Sequence, residues 1–550
     1  MGCRHRIPFR VPRFRAVVLL AAWGAANLAA GALSHPNVLF IAVDDLRPEL
    51  GCYGVEYVKS PNIDRLAARG VLFERAYCQY AICGPSRASL LTGMRPDSLK
   101  IEDIDTYFRK TVPDVVTLPQ HFKANGYTAV YYGKVFYARQ EDEANSWNRR
   151  PAGTEPARDT GGEYQLPENR ALVHKRREAA LKLFGANGIE GLASGPAWES
   201  ADRPDSAYGD GRTTDAALLA MKKLSDSGRP FFLAVGFRKP HLPFIAPKRY
   251  FDLYDAVNIP LADTPFAPTG APGIARHQSF ELRTRSNIPT SGPVSDDLAR
   301  ELRRAYAACT SFVDAQVGRL LERLDELGLS KNTIIVFWGD HGWHLGEEGM
   351  WGKATDYEVA TRAPLIVAVP GAKGNGSKAS GLVEFVDIYP TLCQLAGLPL
   401  PGSLEGTSFA PLLETPGRSW KKAAFSQFPS PALREWAARP LSLGMRRTFF
   451  GPLIAGVEAQ LKEEYGSRYD QATFDREVMG YTMRTERYRF TVWVDRREPE
   501  GEPYSVEVYD HLRDPSETRN VANVPDYASA VASLRAQWLQ GWRSAQPDAH

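Results

Sequence analysis

The sequence predicts an α/β fold: a large, mostly parallel sheet flanked by helices, with a smaller α+β region carrying an antiparallel sheet at the C-terminal end. Three observations carry this reading. Short apolar runs alternate with helix-patterned segments from Asn37 to about residue 400. Four of those runs end in clustered polar residues, as strands do where an open α/β sheet binds its ligand. After residue 400 the alternation gives way to closely spaced strand patterns. At 550 residues the chain exceeds one hydrophobic core, so a catalytic-sized domain over 35–400 and a smaller one over 401–550 are expected.

Composition narrows the class. Hydrophobic residues at 43% and charged residues at 24% argue for a globular protein rather than a disordered chain or a membrane bundle. A formal net charge of +3 offers no field for nucleic acid, so an anionic ligand must be met by a local site.

Taken in order, residues 1–34 read as a signal peptide. Arg4, Arg6, Arg10, Arg13 and Arg15 precede the apolar run "AVVLLAAWGAANLAAGALS", and Ala30-Gly31-Ala32 offers small residues for cleavage. The expected location is therefore outside the cytoplasm: periplasmic or secreted, or lysosomal in a eukaryote, with no membrane attachment after cleavage. An uncleaved anchor is the alternative. The runs "NVLFIAV", "YTAVYY", "PFFLAVGF" and "NTIIVFWG" read as buried strands, delivering Asp44-Asp45, Gly133-Lys134, Arg238-Lys239-Pro240-His241 and Asp340-His341. Residues 138–214 read as an insertion with one helix at "RALVHKRREAALKLFG", and the proline-rich stretch 255–296 as a second irregular segment. "SDDLARELRRAYAACTSFVDAQVGRLLERLDELG" is a long amphipathic helix. "MGYTMRTERYRFTVWV" and "YSVEVYDHLRDPSE" read as antiparallel strands, and "DYASAVASLRAQWLQGWRSA" as a closing helix.

The candidate chemistry gathers at the strand ends. Asp44, Asp45, Asp340 and His341 would form an oxygen-rich cluster if their strands are neighbours, suited to calcium or magnesium rather than zinc. Singly, such residues are ordinary caps and turns; their convergence carries the reading. Arg87, Lys134, Lys239, His241 and Lys353 fall in or after the same regions and suggest a clamp for a sulfate or phosphate ester. Cys83 lies where "CGPSRASLLTG" opens a helix, with Pro85 in its first turn and Gly93 at its end. Beside Cys52, Cys78, Cys309 and Cys393 it belongs to no disulfide or metal spacing. A helix terminus and Arg87 would favour a thiolate, whereas neighbouring carboxylates would oppose one.

"CGPSRASLLTG" resembles the signature of the type I sulfatases, C-x-P-S-R followed by S-x-x-T-G, within the alkaline phosphatase superfamily. The resemblance extends from "PNVLFIAVDDLRPELGCYG" to "YDHLRDPSETRN". "YYGKVF", "PFFLAVGFRKPHLPF" and "DHGWHLGEEGMWGKATDYEVATRAPLI" are most similar to members acting on 2-O-sulfated uronic acids. It implies an alkaline-phosphatase-like fold and hydrolysis of sulfate esters on a sulfated carbohydrate. It also implies a formylglycine made from Cys83 by a maturation enzyme, and one calcium ion held by Asp44, Asp45, Asp340 and His341 with the modified Cys83. Arg87 would then stabilise the formylglycine hydrate, and Lys134, His241 and Lys353 would hold the sulfate. Lys100, Tyr137, Trp343 and His344 are expected on the substrate side of the site. One position departs from the family pattern: Tyr137 stands where a histidine is usual. Two rival readings remain at this level: a phosphate or phosphonate ester hydrolase of the same superfamily, and a catalytically silent sulfated-glycan-binding protein.

Overall fold

Alternating burial of the two faces of one apolar strand organises the molecule. In the computed structural model, which describes residues 35–137, 140–156, 163–185, 193–435 and 446–547, strand β1 (Asn37–Val43) is buried in the interior of a seven-stranded sheet. The other strands are β2 (Val71–Phe73), β3 (Thr128–Gly133), β4 (Phe231–Phe237), β5 (Thr333–Gly339), β6 (Leu365–Ala368) and β7 (Lys378–Ala379), in the order β7-β2-β6-β5-β1-β4-β3. The four runs read from sequence as strands are β1, β3, β4 and β5, and they lie side by side and parallel. Strand β6 runs antiparallel to both β5 and β2.

Val38, Phe40 and Ala42 point into one core and Leu39, Ile41 and Val43 into another, as the two-residue period of a strand requires. The first core receives Leu90 and Leu91 of helix α1 (Cys83–Thr92). The insertion contributes α2 (Pro167–Phe184), in which Ala180 alone of its residues is buried. The second core receives Ala217, Ala220, Met221 and Leu224 of α3 (Gly209–Asp226), and Val313, Val317, Leu320 and Leu324 of α4 (Asp296–Glu326). Their spacing of three and four residues places each set on one helix face. Ser295 caps α4 through Leu298 N–H.

Near the C-terminus, β8 (Ala423–Pro429), β9 (Val478–Thr485), β10 (Tyr488–Asp495) and β11 (Ser505–Asp510) form an antiparallel sheet, followed by helix α5 (Ala528–Leu539). Strand β8 was not legible in the sequence. It joins this sheet to the segment that leads into α1: Gln427 N–H donates to Gln79 O at 2.9 Å, and Ser426 Oγ to Cys78 O at 2.5 Å. The described residues belong to one compact unit. Among them no helix is long and apolar enough to cross a membrane, and the residues read as a signal peptide lie outside the described set.

Candidate active site

Strand register sets the site. Val43 lies opposite both Phe237 and Gly339, and Gly133 opposite Gly236, so residues 44, 238 and 340 leave the sheet at one level and Lys134 one residue before it. Backbone bonds extend the ladder by one step, each at 3.1 Å: Asp44 N–H to Phe237 O, Asp340 N–H to Val43 O, and Lys134 N–H to Gly236 O. Gly236 is required here, because a Cβ would come within 1.9 Å of the Lys134 carbonyl oxygen. Asp45 adopts φ of 57°, a left-handed conformation aspartate tolerates, and its N–H is held by Asp340 Oδ1 at 3.0 Å.

Asp44, Asp45, Asp340 and His341 are fully buried. Donor atoms of Asp45, Cys83, Asp340 and His341 all lie within 4.8 Å of one another, and so do those of Asp44, Asp45, Cys83 and His241. His341 Nδ1 sits 2.9 Å from Gly342 O, which can only accept, so Nδ1 carries the hydrogen. Its Nε2 lone pair then faces Cys83 Sγ at 3.2 Å, Asp45 Oδ1 at 3.4 Å and Asp340 Oδ1 at 3.5 Å. Burial pushes this imidazole down to about 4, the neutral form that ligates metals. Burial also pushes the Asp45 carboxyl well up, only partly opposed by Lys353. Asp44 is held well below its ordinary value, because Lys134, His241, Arg87 and Lys353 together outweigh its burial. Buried carboxylates with one neutral imidazole suit a hard divalent cation.

The basic residues divide into two kinds. Arg87 is fully buried and turned inward: Nε donates to Asp340 Oδ2 at 2.8 Å, Nη2 to Asp44 Oδ1 at 3.3 Å, and Nη1 to Lys134 O and Val135 O. It braces the carboxylates and does not face the cleft. Lys239, expected with the anion clamp, is instead consumed by Glu163 at 2.8 Å, His241 O at 2.9 Å and Pro243 O at 2.6 Å. Lys134 Nζ and Lys353 Nζ lie at the rim, 2.5 Å from Asp44 Oδ2 and 2.8 Å from Asp45 Oδ1 respectively. His241 Nδ1 donates to Leu242 O at 2.6 Å, leaving Nε2 to exchange a proton. The Asp210 carboxylate accepts Arg238 N–H and Lys239 N–H, both at 2.9 Å, and so fixes the loop that presents His241.

Cys83 is the first residue of α1, with Sγ 3.7 Å from both Asp45 Oδ1 and Lys353 Nζ. Burial, then Asp44, push its thiol well above the ordinary range, so an unmodified Cys83 is a poor nucleophile.

A family profile described as Sulfatase matches residues 36–398. The chain is also 34% identical to iduronate 2-sulfatase from Mus musculus, over 94% of this chain and 96% of the relative. The chain belongs to the sulfatase family. It is a sulfuric ester hydrolase. Iduronate 2-sulfatase from Homo sapiens is 33% identical, over 92% of this chain and 94% of the relative. Two solved structures, each 22% identical, share the fold. Phosphonate monoester hydrolase from Silicibacter pomeroyi has a TM-score of 0.66, covering 93% of this chain and 96% of that one. A 2-O GAG sulfatase has a TM-score of 0.61, covering 94% of this chain and 95% of that one.

Three of the four residues expected on the substrate side fall elsewhere in this sulfatase. Trp343 is buried beneath Lys353, whose ammonium lies 5.0 Å from its ring centroid. His344 is fully buried, with Nδ1 2.8 Å from Glu348 Oε2 and Nε2 2.8 Å from Thr355 Oγ1. Neither lines the cleft. Both point inward because the chain turns after His341 into a short hairpin pairing His344 with Gly352 and Leu345 with Trp351. Lys100 is exposed, in a separate cavity of about 630 Å³ shared with Glu102, Asp103 and Arg496. Tyr137 does reach the site: Lys134 Nζ sits 5.2 Å from its ring centroid. Burial pushes its hydroxyl up to about 12, so it remains protonated at neutral pH. Sequence reasoning missed Glu281, inside the stretch read as irregular. Its carboxylate lies 3.6 Å from His241 Nε2 and 3.7 Å from Lys353 Nζ.

Proposed function

We propose that this sulfatase cleaves sulfate esters of a sulfated glycan, at the 2-position of a uronic acid, using a formylglycine made from Cys83 and a calcium ion. The observation that carries the reading is the placement of Cys83. Its side chain lies at a helix N-terminus among Asp45, His341 and Lys353, where a thiol is unreactive and a modified side chain would touch a bound cation. The likeness to iduronate 2-sulfatase supports the position on the sugar.

Asp44, Asp45, Asp340 and His341 would hold the calcium, with the modified Cys83 beside it. When present, the cation supplies positive charge for an anionic transition state, and the formyl group, as its hydrate, supplies the attacking oxygen. Lys134 and Lys353 donate to the sulfate oxygens from the rim. His241, as the imidazolium with Nδ1–H held by Leu242 O, gives its Nε2 proton to the leaving alcohol and is left neutral. Arg87 keeps Asp44 and Asp340 in place. Tyr137 acts as a hydrogen-bond donor, and a proton acceptor other than Tyr137 must serve sulfate release. Export to an oxidising compartment, by way of residues 1–34, completes the proposal.

The test uses protein purified from its native host. Repeated sulfate release from an oligosaccharide ending in a 2-O-sulfated uronate, exceeding phosphate release from an aryl phosphate, is the expected result. The tryptic peptide Ala76–Arg87 should be lighter than its unmodified form by roughly the mass of a water molecule, with the change at Cys83 and not Cys78. An unmodified Cys83 with no turnover would overturn the mechanism and leave a sulfated-glycan-binding protein; preferred phosphate release would make it a phosphoesterase.

A further inference from the structure

We propose that Glu281 selects the substrate on the leaving-group side: its carboxylate accepts a hydrogen bond from a hydroxyl on the carbon next to the sulfated one, and excludes a second anionic group there. The inference rests on the glycan-sulfatase reading above and narrows it.

Glu281 occupies a built position. It lies in a short turn, Phe280–Arg283, whose first residue is fully buried and packs edge-to-face on Phe450 at 5.1 Å. Before it, Ser279 N–H donates to His277 Nδ1 at 3.0 Å, and Ser279 Oγ accepts Trp351 N–H at 2.9 Å, two residues from Lys353. The buried Glu435 carboxylate accepts Gln278 N–H at 3.0 Å. The turn is therefore fastened both to the strand that presents Lys353 and to the segment after β8. Its side chain is 26% exposed.

The distances of 3.6 Å to His241 Nε2 and 3.7 Å to Lys353 Nζ are too long for hydrogen bonds. Nor does Lys353 need this counter-ion, because both Asp45 oxygens already lie within 3.0 Å of it. A carboxylate on the rim of a sulfate site opposes the sulfate itself, so its use must lie with the rest of the substrate. His241 serves the ester oxygen, and the Glu281 carboxylate lies 3.6 Å from its Nε2. The group it meets is therefore a substituent on a carbon adjoining the ester. A carboxylate accepts strongly from a hydroxyl or ammonium and repels a sulfate or carboxylate. For a 2-O-sulfated uronate the preferred substrate carries a free neighbouring hydroxyl.

The experiment compares three substrates with the holoenzyme and its Glu281→Ala and Glu281→Gln variants. They are an aryl sulfate, an oligosaccharide ending in a 2-O-sulfated uronate with the adjoining hydroxyl free, and the same oligosaccharide with that hydroxyl sulfated. The ratio of kcat/KM for the hydroxyl-bearing sugar over the aryl sulfate should fall about 10- to 100-fold in Glu281→Ala. In Glu281→Gln the disulfated sugar should gain at least about tenfold relative to the monosulfated one. Equal changes on all three substrates in both variants would overturn the proposal, assigning Glu281 a general effect on His241 or Lys353. Unaltered ratios would also overturn it. A wild-type enzyme inactive on every sulfate ester would instead remove the sulfatase reading on which it rests. Calcium-dependent thermal midpoints for both variants check that the cation site survives.

Discussion

Two of the buried charge clusters among the described residues behave differently. Where the C-terminal sheet meets the catalytic loops, Arg489 donates Nη2 to Glu358 Oε2 at 2.5 Å and Nε to Glu517 Oε1 at 2.6 Å. Arg484 Nε adds a bond to Glu358 Oε2 at 3.1 Å, and His511 Nε2 lies 2.8 Å from Glu517 Oε1. Despite their burial, both carboxyls are held below their ordinary range, Glu358 by Arg484 and Arg489, and Glu517 by Arg489 and His511. At the strand ends, Asp44 and Asp45 are driven in opposite directions, and their partners at the rim are lysines. Arginine's fork fixes two oxygens at once, whereas lysine is a point charge on a flexible stem. The first cluster is closed on itself. The second can release its carboxylates to a cation and turn its lysines toward a sulfate.

Breaking the open cluster should cost activity and leave the fold. Cys83→Ala should lower turnover about 10,000-fold or more, since the residues of such a site act as one unit. Thermal unfolding should stay near wild type, which separates lost chemistry from lost structure. In Asp340 the two buried oxygens have different partners, Oδ1 accepting Asp45 N–H and Oδ2 accepting Arg87 Nε, and Asp340→Asn replaces one of them with an amide nitrogen that cannot accept, so a loss of roughly 100- to 1,000-fold is expected. Calcium added to chelated wild-type protein should raise its stability, by about 2.7 kcal/mol at a hundredfold excess over Kd. In Asp340→Asn that rise should vanish, as read by melting with and without the ion.

The open cluster was also the more legible one. Each strand announces itself by an apolar run, and the residues following it must emerge at the same edge, so Asp44, Asp45, Lys134, His241, Asp340 and His341 could be grouped from sequence. Helix α1 likewise follows from Pro85 and Gly93, whose φ of 67° ends it. What sequence did not disclose depends on long-range fastening. Glu281 comes to the site because Ser279 binds Trp351 and Glu435 binds Gln278, pairings across 72 and 157 residues that no local pattern encodes. Trp343 and His344 adjoin a ligand in sequence, yet the hairpin turns them inward. Lys239 illustrates the same limit: it neighbours His241 in the chain, and its ammonium is spent on Glu163 and two carbonyls.

The closed kind of cluster should respond in stability rather than turnover. Arg489→Met leaves Glu358 and Glu517 buried with less compensation and should cost about 3–5 kcal/mol in urea unfolding. Activity per folded molecule should be retained; a parallel loss of kcat would show that this cluster positions the site after all. Glu347 offers a smaller, pH-dependent version. It bridges Arg47 at 2.9 Å and Arg303 at 3.2 Å, tying the loop after Asp45 to α4. Burial alone would raise its carboxyl, but the two arginines outweigh it and hold it at about 2, against 4.5 ordinarily. Because the folded value is the lower, the unfolded chain takes up this proton first as pH falls. The contribution, about 3 kcal/mol, is fully present above about pH 5 and disappears between there and about pH 2. Urea midpoints measured down that range should fall more steeply in wild type than in Glu347→Gln. Equal slopes would mean that Glu347 keeps its ordinary acidity and that the arginines serve its backbone neighbours instead.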